Sequence, residues 1–94
     1  MPLFEKDIER KVCDYAKAKG VSVYKFTSPA RSAVPDRLFI YQGTLWFCEF
    51  KREGLKATPA QEREHQRLRA QLVPVYVIDN VDAGKAMVDY YVSN

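Results

Sequence analysis

Asp36, Glu49 and Lys51 stand on or beside the most apolar stretch of the chain, "VPDRLFIYQGTLWFCEFKRE", from Val34 to Glu53. Ionised side chains are costly to bury without partners, so two carboxylates and an ammonium there need a reason. One reason is a cross-strand salt bridge of Asp36 or Glu49 with Lys51. The other is a hard divalent cation, which takes carboxylate and carbonyl oxygens and completes its octahedron with water. Such an ion neutralises charge on a phosphoryl group, while a neighbouring lysine orients or helps deprotonate a nucleophile.

Spacing brings the three together. Side chains alternate along a strand, so Leu45, Phe47, Glu49 and Lys51 share one face, and Trp46, Cys48 and Phe50 the other. Gln42-Gly43 is a tight-turn signal that folds a strand over Arg37 to Tyr41 back onto one over Thr44 to Arg52. Asp36 then lies approximately opposite Glu49 or Phe50. The charges interrupt an apolar strand instead of lining a solvent face, which favours the cation.

The elements that must hold this cluster are legible from periodicity. Phe4, Ile8, Val12, Tyr15 and Ala16 mark one face of a helix from about Pro2 to Lys19, ended by Gly20. Val21 to Phe26 alternates as a strand. "TSPARSAV", Thr27 to Val34, is a loop of small residues with a proline and an arginine. Thr58 opens a second helix that runs to about Leu72. Thr58-Pro59-Ala60-Gln61 has the form of a capping box, and Gln61, His65, Leu68 and Leu72 form one stripe facing the sheet. Pro74 precedes a strand over Val75 to Ile78, and Asp79 or Asp82 caps a last helix through Ala83, Ala86, Met87 and Tyr90. The order helix, three strands, helix, strand, helix breaks regular alternation. The expectation is an α/β fold with a mixed four-stranded sheet flanked by helices.

Composition sets the frame. Ninety-four residues, 47% hydrophobic and 29% charged, are expected to form one domain over residues 1–94. No apolar run nears the ~20 residues that span a bilayer. The start, MPLFEKDIERK, has no signal-like apolar region, so the expected compartment is the cytoplasm and no membrane partner. Cys13 and Cys48 form no C-x-x-C pair and are expected as reduced, buried thiols. The net charge of +3 is concentrated in a basic middle segment from Lys25 to Arg69, which suits either a polyanion such as nucleic acid or an ordinary solvated surface.

Pro35-Asp36, a short strand and turn, then Glu49-Phe50-Lys51 resemble the PD-(D/E)xK nuclease signature. Within that superfamily, "SAVPDRLFIYQGTLWFCEFKREGLKATPAQEREHQRL" is similar to the VRR-NUC family, the virus-type replication-repair nucleases. That family shows a small residue before the Pro-Asp step, an ExK strand, and a following helix that starts near Ser/Thr-Pro and carries a glutamine. The resemblance covers Glu5 to about Asp82.

It implies an αβββαβα restriction-endonuclease-like core and a deoxyribonuclease dependent on Mg²⁺ or Mn²⁺. Asp36 and Glu49 would hold the metal, with the Phe50 carbonyl as a further ligand. Lys51 would be the catalytic lysine and Gln61 an active-site residue touching a water or phosphate. The first-helix acid would be Glu5 or Glu9, reaching the ion through a water; on a helical wheel Glu5 lies inside the apolar arc near Val12 and Glu9 at its edge beside Ala16. His65 is expected at a hydrogen-bonded edge of the core, with a catalytic histidine as the alternative. Arg31, Arg37, Arg52, Lys56 and Arg63 are candidate DNA contacts or plain surface charges. Branched DNA cut by a homodimer, as in four-way-junction resolvases, is the leading substrate expectation, in the cytoplasm of a bacterial or virus-infected cell. A silent nucleic-acid-binding module and a flap- or duplex-specific nuclease are the alternatives.

Overall fold

In chain order the elements are α1 (Glu5–Ala18), β1 (Ser22–Lys25), β2 (Arg37–Tyr41), β3 (Thr44–Phe50), α2 (Pro59–Ala70), β4 (Val75–Ile78) and α3 (Val81–Val92). The computed structural model describes residues 3–93. The strands form one mixed sheet in the order β1-β2-β3-β4. The pairs β1/β2 and β2/β3 are antiparallel, and β3/β4 is parallel. At the tip of the β2/β3 hairpin, Gln42 (φ 46°) and Gly43 (φ 84°) are both left-handed. This is the turn whose twist matches that of the strands it joins, and it sets Arg37 opposite Cys48.

The two faces of β3 have different fates. Trp46, Cys48 and Phe50 are fully buried under α1 and α3. Trp46 is stacked between Phe39 of β2, with ring centroids 5.5 Å apart, and Tyr91 of α3 at 3.9 Å. Ile8, Val12 and Ala16 bring the buried stripe of α1 onto this layer. Gly84 lets α3 lie directly on α1, since a Cβ there would come within 2.3 Å of Val12 Cγ2. On the opposite face α2 covers Glu49 with its own buried residue His65.

Several boundaries differ from the expectation, for local reasons. Helix α1 starts at Glu5, and Phe4 caps it in an extended conformation, 66% exposed instead of in the apolar face. Phe4 has no side-chain acceptor for the first amides, which are met by the negative charge of Glu5 and Asp7. Pro2 lies outside the described residues. Strand β3 stops at Phe50, short of Arg52, because the Asp36 carboxylate takes the Phe50 N–H that a further strand residue would take. Asn80 caps α3: its Oδ1 accepts from the Ala83 N–H at 2.8 Å, a role expected of Asp79 or Asp82. Asp79 instead accepts from the Gly54 N–H at 3.1 Å. Leu72 falls beyond the end of α2 with φ 63° and is 92% exposed, so the buried stripe of that helix stops short of it. Among the described residues no helix is long and apolar enough to cross a membrane.

Candidate active site

The site forms where the hairpin ends. One step beyond the Arg37–Cys48 pair places Asp36 across from Glu49, on the face covered by α2. Asp36 is pinned by both of its polar ends. Its Oδ2 accepts from the Phe50 N–H at 2.8 Å, and its carbonyl accepts from the Phe26 N–H at 2.9 Å. Buried Pro35 before it restricts the backbone that delivers it.

Glu49 is 3% exposed and is held from above by α2. Gln61 Nε2 donates to Glu49 Oε2 at 3.1 Å. The same side chain completes the capping box: its Oε1 accepts from the Thr58 N–H at 2.9 Å, while the Gln61 N–H donates to Thr58 Oγ1 at 3.2 Å. One amide thus starts the helix with its oxygen and grips the carboxyl with its nitrogen. One turn along, fully buried His65 points Nε2 at Glu49 Oε1 from 3.9 Å, too far for a hydrogen bond. Glu49 Oε1 and both His65 ring nitrogens are buried with no hydrogen-bond partner. The hydrogen-bonded core-edge role expected of His65 is therefore corrected: it is fully buried and makes no hydrogen bond. Leaving such groups unpaired costs on the order of 1–3 kcal/mol each.

Electrostatics follow from this crowding. Burial, then the charge of Asp36, pushes the Glu49 carboxyl up to about 8, against the opposing pull of Lys51. Glu5 is also raised, by burial and then by Asp36, with Lys51 again opposing. Burial and the Arg69 charge lower His65, which keeps its ring neutral. Among the described residues Lys51 closes no ion pair with Asp36 or Glu49. The salt-bridge explanation of the trio therefore lacks its bridge.

The two first-helix acids part company. Glu5 is near enough to Asp36, Lys51 and Glu49 for their charges to bear on one another. Glu9 Oε2 is taken up by Arg37 Nε at 2.7 Å, around a groove on the α1 side of the sheet.

This geometry has counterparts in known proteins. No protein-family model matches the chain. A phage protein, "Putative nuclease p44" of Acyrthosiphon pisum secondary endosymbiont phage 1, is 43% identical over 79 residues, 83% of this chain and 85% of that protein. A solved structure described as "VRR_NUC domain" superposes with a TM-score of 0.86 at 30% identity, over 93% of this chain and 96% of that one. The chain belongs to the VRR-NUC family.

On this VRR-NUC fold the donors around Asp36 and Glu49 are hard oxygens, the kind Mg²⁺ and Mn²⁺ select. The orphaned Glu49 Oε1 and the raised carboxyl both mark a position that lacks positive charge, so these residues fit a divalent cation. Among the described residues no three His, Cys, Asp or Glu side chains gather as a metal cluster, so backbone and water oxygens would complete the set. The candidate DNA contacts divide. Arg37 is committed to Glu9. Arg31 reaches Glu64 at 3.5 Å, where Arg67 also arrives at 3.4 Å. Arg63 joins Arg31 and Arg67 around an open groove of about 280 Å³, and Arg52 and Lys56 are exposed.

Sequence reasoning missed buried Glu64, the carboxylate that gathers Arg31 and Arg67, and it missed Arg69, whose Nη2 donates to the Val75 carbonyl at 2.7 Å. Neither had a signal beyond its charge. The i, i+4 spacing of Gln61 and His65 was a signal for a joint role.

Proposed function

We propose that the protein is a divalent-cation-dependent deoxyribonuclease that cuts phosphodiester bonds in branched DNA as a homodimer, with residues 1–94 as one nuclease domain. The observation that carries the reading is Glu49, buried beside Asp36 and pushed up to about 8 with one oxygen unpartnered. A carboxyl held in that state gains most from a cation. The phage relative named as a nuclease and the family membership support the activity class.

In this reading Asp36, Glu49 and the Phe50 carbonyl would hold Mg²⁺ or Mn²⁺. The bound ion supplies charge neutralisation at the scissile phosphoryl group and a more acidic attacking water. Lys51 directly follows β3, near enough to Glu49 for its charge to bear on it, and its ammonium would orient the attacking water and stabilise charge on the phosphoryl oxygens. Gln61 fixes the Glu49 carboxyl through Oε2. Glu5 takes the first-helix position, while Glu9 serves Arg37. The basic groove of Arg31, Arg63 and Arg67 offers the backbone a path beside the site. Two copies related by a two-fold axis would cut two strands.

The test offers labelled four-way junction, 5′-flap, linear duplex and single-stranded DNA to wild type and Asp36→Asn, with Mn²⁺, Mg²⁺ or chelator. Paired, near-symmetric cuts on the junction, abolished by chelator and by the variant, are expected. Binding without cutting under either metal replaces this reading with a silent binding module.

A further inference from the structure

His65 is the one buried titratable side chain of α2 that the chemistry above leaves without a task. Its burial is complete, yet neither ring nitrogen has a hydrogen-bond partner. Nothing polar would be needed there for packing alone, and a leucine would fill the space without stranding two polar atoms. The imidazole sits one helical turn after Gln61, and both residues address the same carboxyl, one at each oxygen. Gln61 Nε2 is 3.1 Å from Oε2, and His65 Nε2 is 3.9 Å from Oε1.

We propose that His65 is a positioning residue for Glu49, donating from Nε2 to Oε1 so that α2 grips the carboxylate at both oxygens. The inference rests on the reading of Glu49 as a cation ligand. The present separation is roughly 1 Å beyond a hydrogen bond, a gap that a small rotation of the Glu49 carboxyl closes. The tautomer that serves carries its proton on Nε2, leaving Nδ1 bare inside the helix–sheet interface. Gripped at one oxygen only, a carboxylate swings about that contact; gripped at both, its lone pairs have one direction. Partners of metal-ligating side chains typically contribute 10–100-fold to metal affinity.

Three proteins decide it: wild type, His65→Leu and His65→Gln, each titrated with Mn²⁺ alone by calorimetry, without DNA. His65→Leu keeps apolar bulk and loses the donor; His65→Gln restores one. The expected result is Mn²⁺ binding weakened at least tenfold in His65→Leu and recovered to within about threefold in His65→Gln, with His65→Leu melting no lower than wild type. Wild-type Mn²⁺ affinity in a folded His65→Leu overturns the proposal, since a purely packing residue gives that outcome. A second readout needs no metal. In long-range ¹H–¹⁵N spectra of the metal-free protein, His65 should carry its proton on Nε2, and that signal should shift in Glu49→Gln. A proton on Nδ1, or a signal indifferent to Glu49→Gln, overturns it equally. If wild type binds no Mn²⁺ the cation reading of Glu49 falls, while the spectra still decide the contact.

Discussion

The two faces of the sheet divide one strand between stability and chemistry. Under α1 and α3, alternate residues of β3 are Trp46, Cys48 and Phe50, all fully buried, with rings stacked on both sides of Trp46. Under α2 the intervening residues are Phe47 and Glu49, and that interface strands Glu49 Oε1 and both His65 nitrogens. The α1/α3 face strands a single polar atom, Trp46 Nε1, inside an aromatic stack, whereas the α2 face strands three, all on titratable groups. The contrast teaches that the α1/α3 layer holds the sheet and so tolerates an unsatisfied site on the other side.

The contrast breaks if the α1/α3 face proves dispensable. Trp46→Ala, which removes the central ring of the stack, should lower unfolding free energy by about 3–5 kcal/mol in urea titrations. A loss below about 1 kcal/mol would mean that this layer does not carry the fold. Gly84→Ala should cost about 1–3 kcal/mol, because the added methyl meets Val12 and the two helices must part.

The α2 face should answer to pH. In the unfolded chain Glu49 titrates at its ordinary 4.5, and in the folded protein at about 8. Between those values the folded state holds the extra proton, so metal-free stability falls as pH rises and the loss is complete only above the folded value. His65, lowered by burial, acts in the opposite sense: its contribution is whole above its ordinary 6.5 and is lost as pH falls below that and on through its depressed folded value. Melting curves in chelator at pH 5 and pH 8.5 should show the decline in wild type and a flatter profile in Glu49→Gln. An equal slope in both would remove Glu49 as the cause.

The smallest effects separate two helix caps. Asn80→Ala and Thr58→Ala should each cost about 1 kcal/mol by chemical denaturation. Only the second, which unseats the capping box holding Gln61 over Glu49, should also slow DNA cleavage. Equal activity in both variants would cut the link between cap and site.

Much of this was legible in the sequence because the signals were local. The Gln42-Gly43 turn and the alternation on either side placed β2 at its observed ends, and Pro74 did the same for the start of β4. The capping box was readable from four residues. Counting back from the turn put Asp36 opposite Glu49 or Phe50, and the register sets it across from Glu49 with its Oδ2 on the Phe50 amide. What escaped depends on atoms distant in the chain. Asn80 took the cap because Asp79 is occupied by the Gly54 amide. The choice between Glu5 and Glu9 turns on where the Arg37 side chain goes, a tertiary fact no helical wheel contains. Buried Glu64 and the unpaired state of His65 likewise exist only once α2 is docked.

The parallel pairing of β4 has a kinetic consequence. The β2/β3 hairpin closes over two residues, whereas β3 meets β4 only after residues 51–74 have been gathered, with α2 inside that excursion. Hairpins form within about 1–10 μs, and longer closures carry a larger entropic barrier. The order of assembly therefore sets Asp36 against Glu49 early and brings Gln61 and His65 over them late. A nascent chain passes through a stage with two facing carboxylates and no lid above them. On the cation reading proposed above, ions present during synthesis would meet the pair while it is still open to solvent, and the docking of α2 would close over an ion already in place.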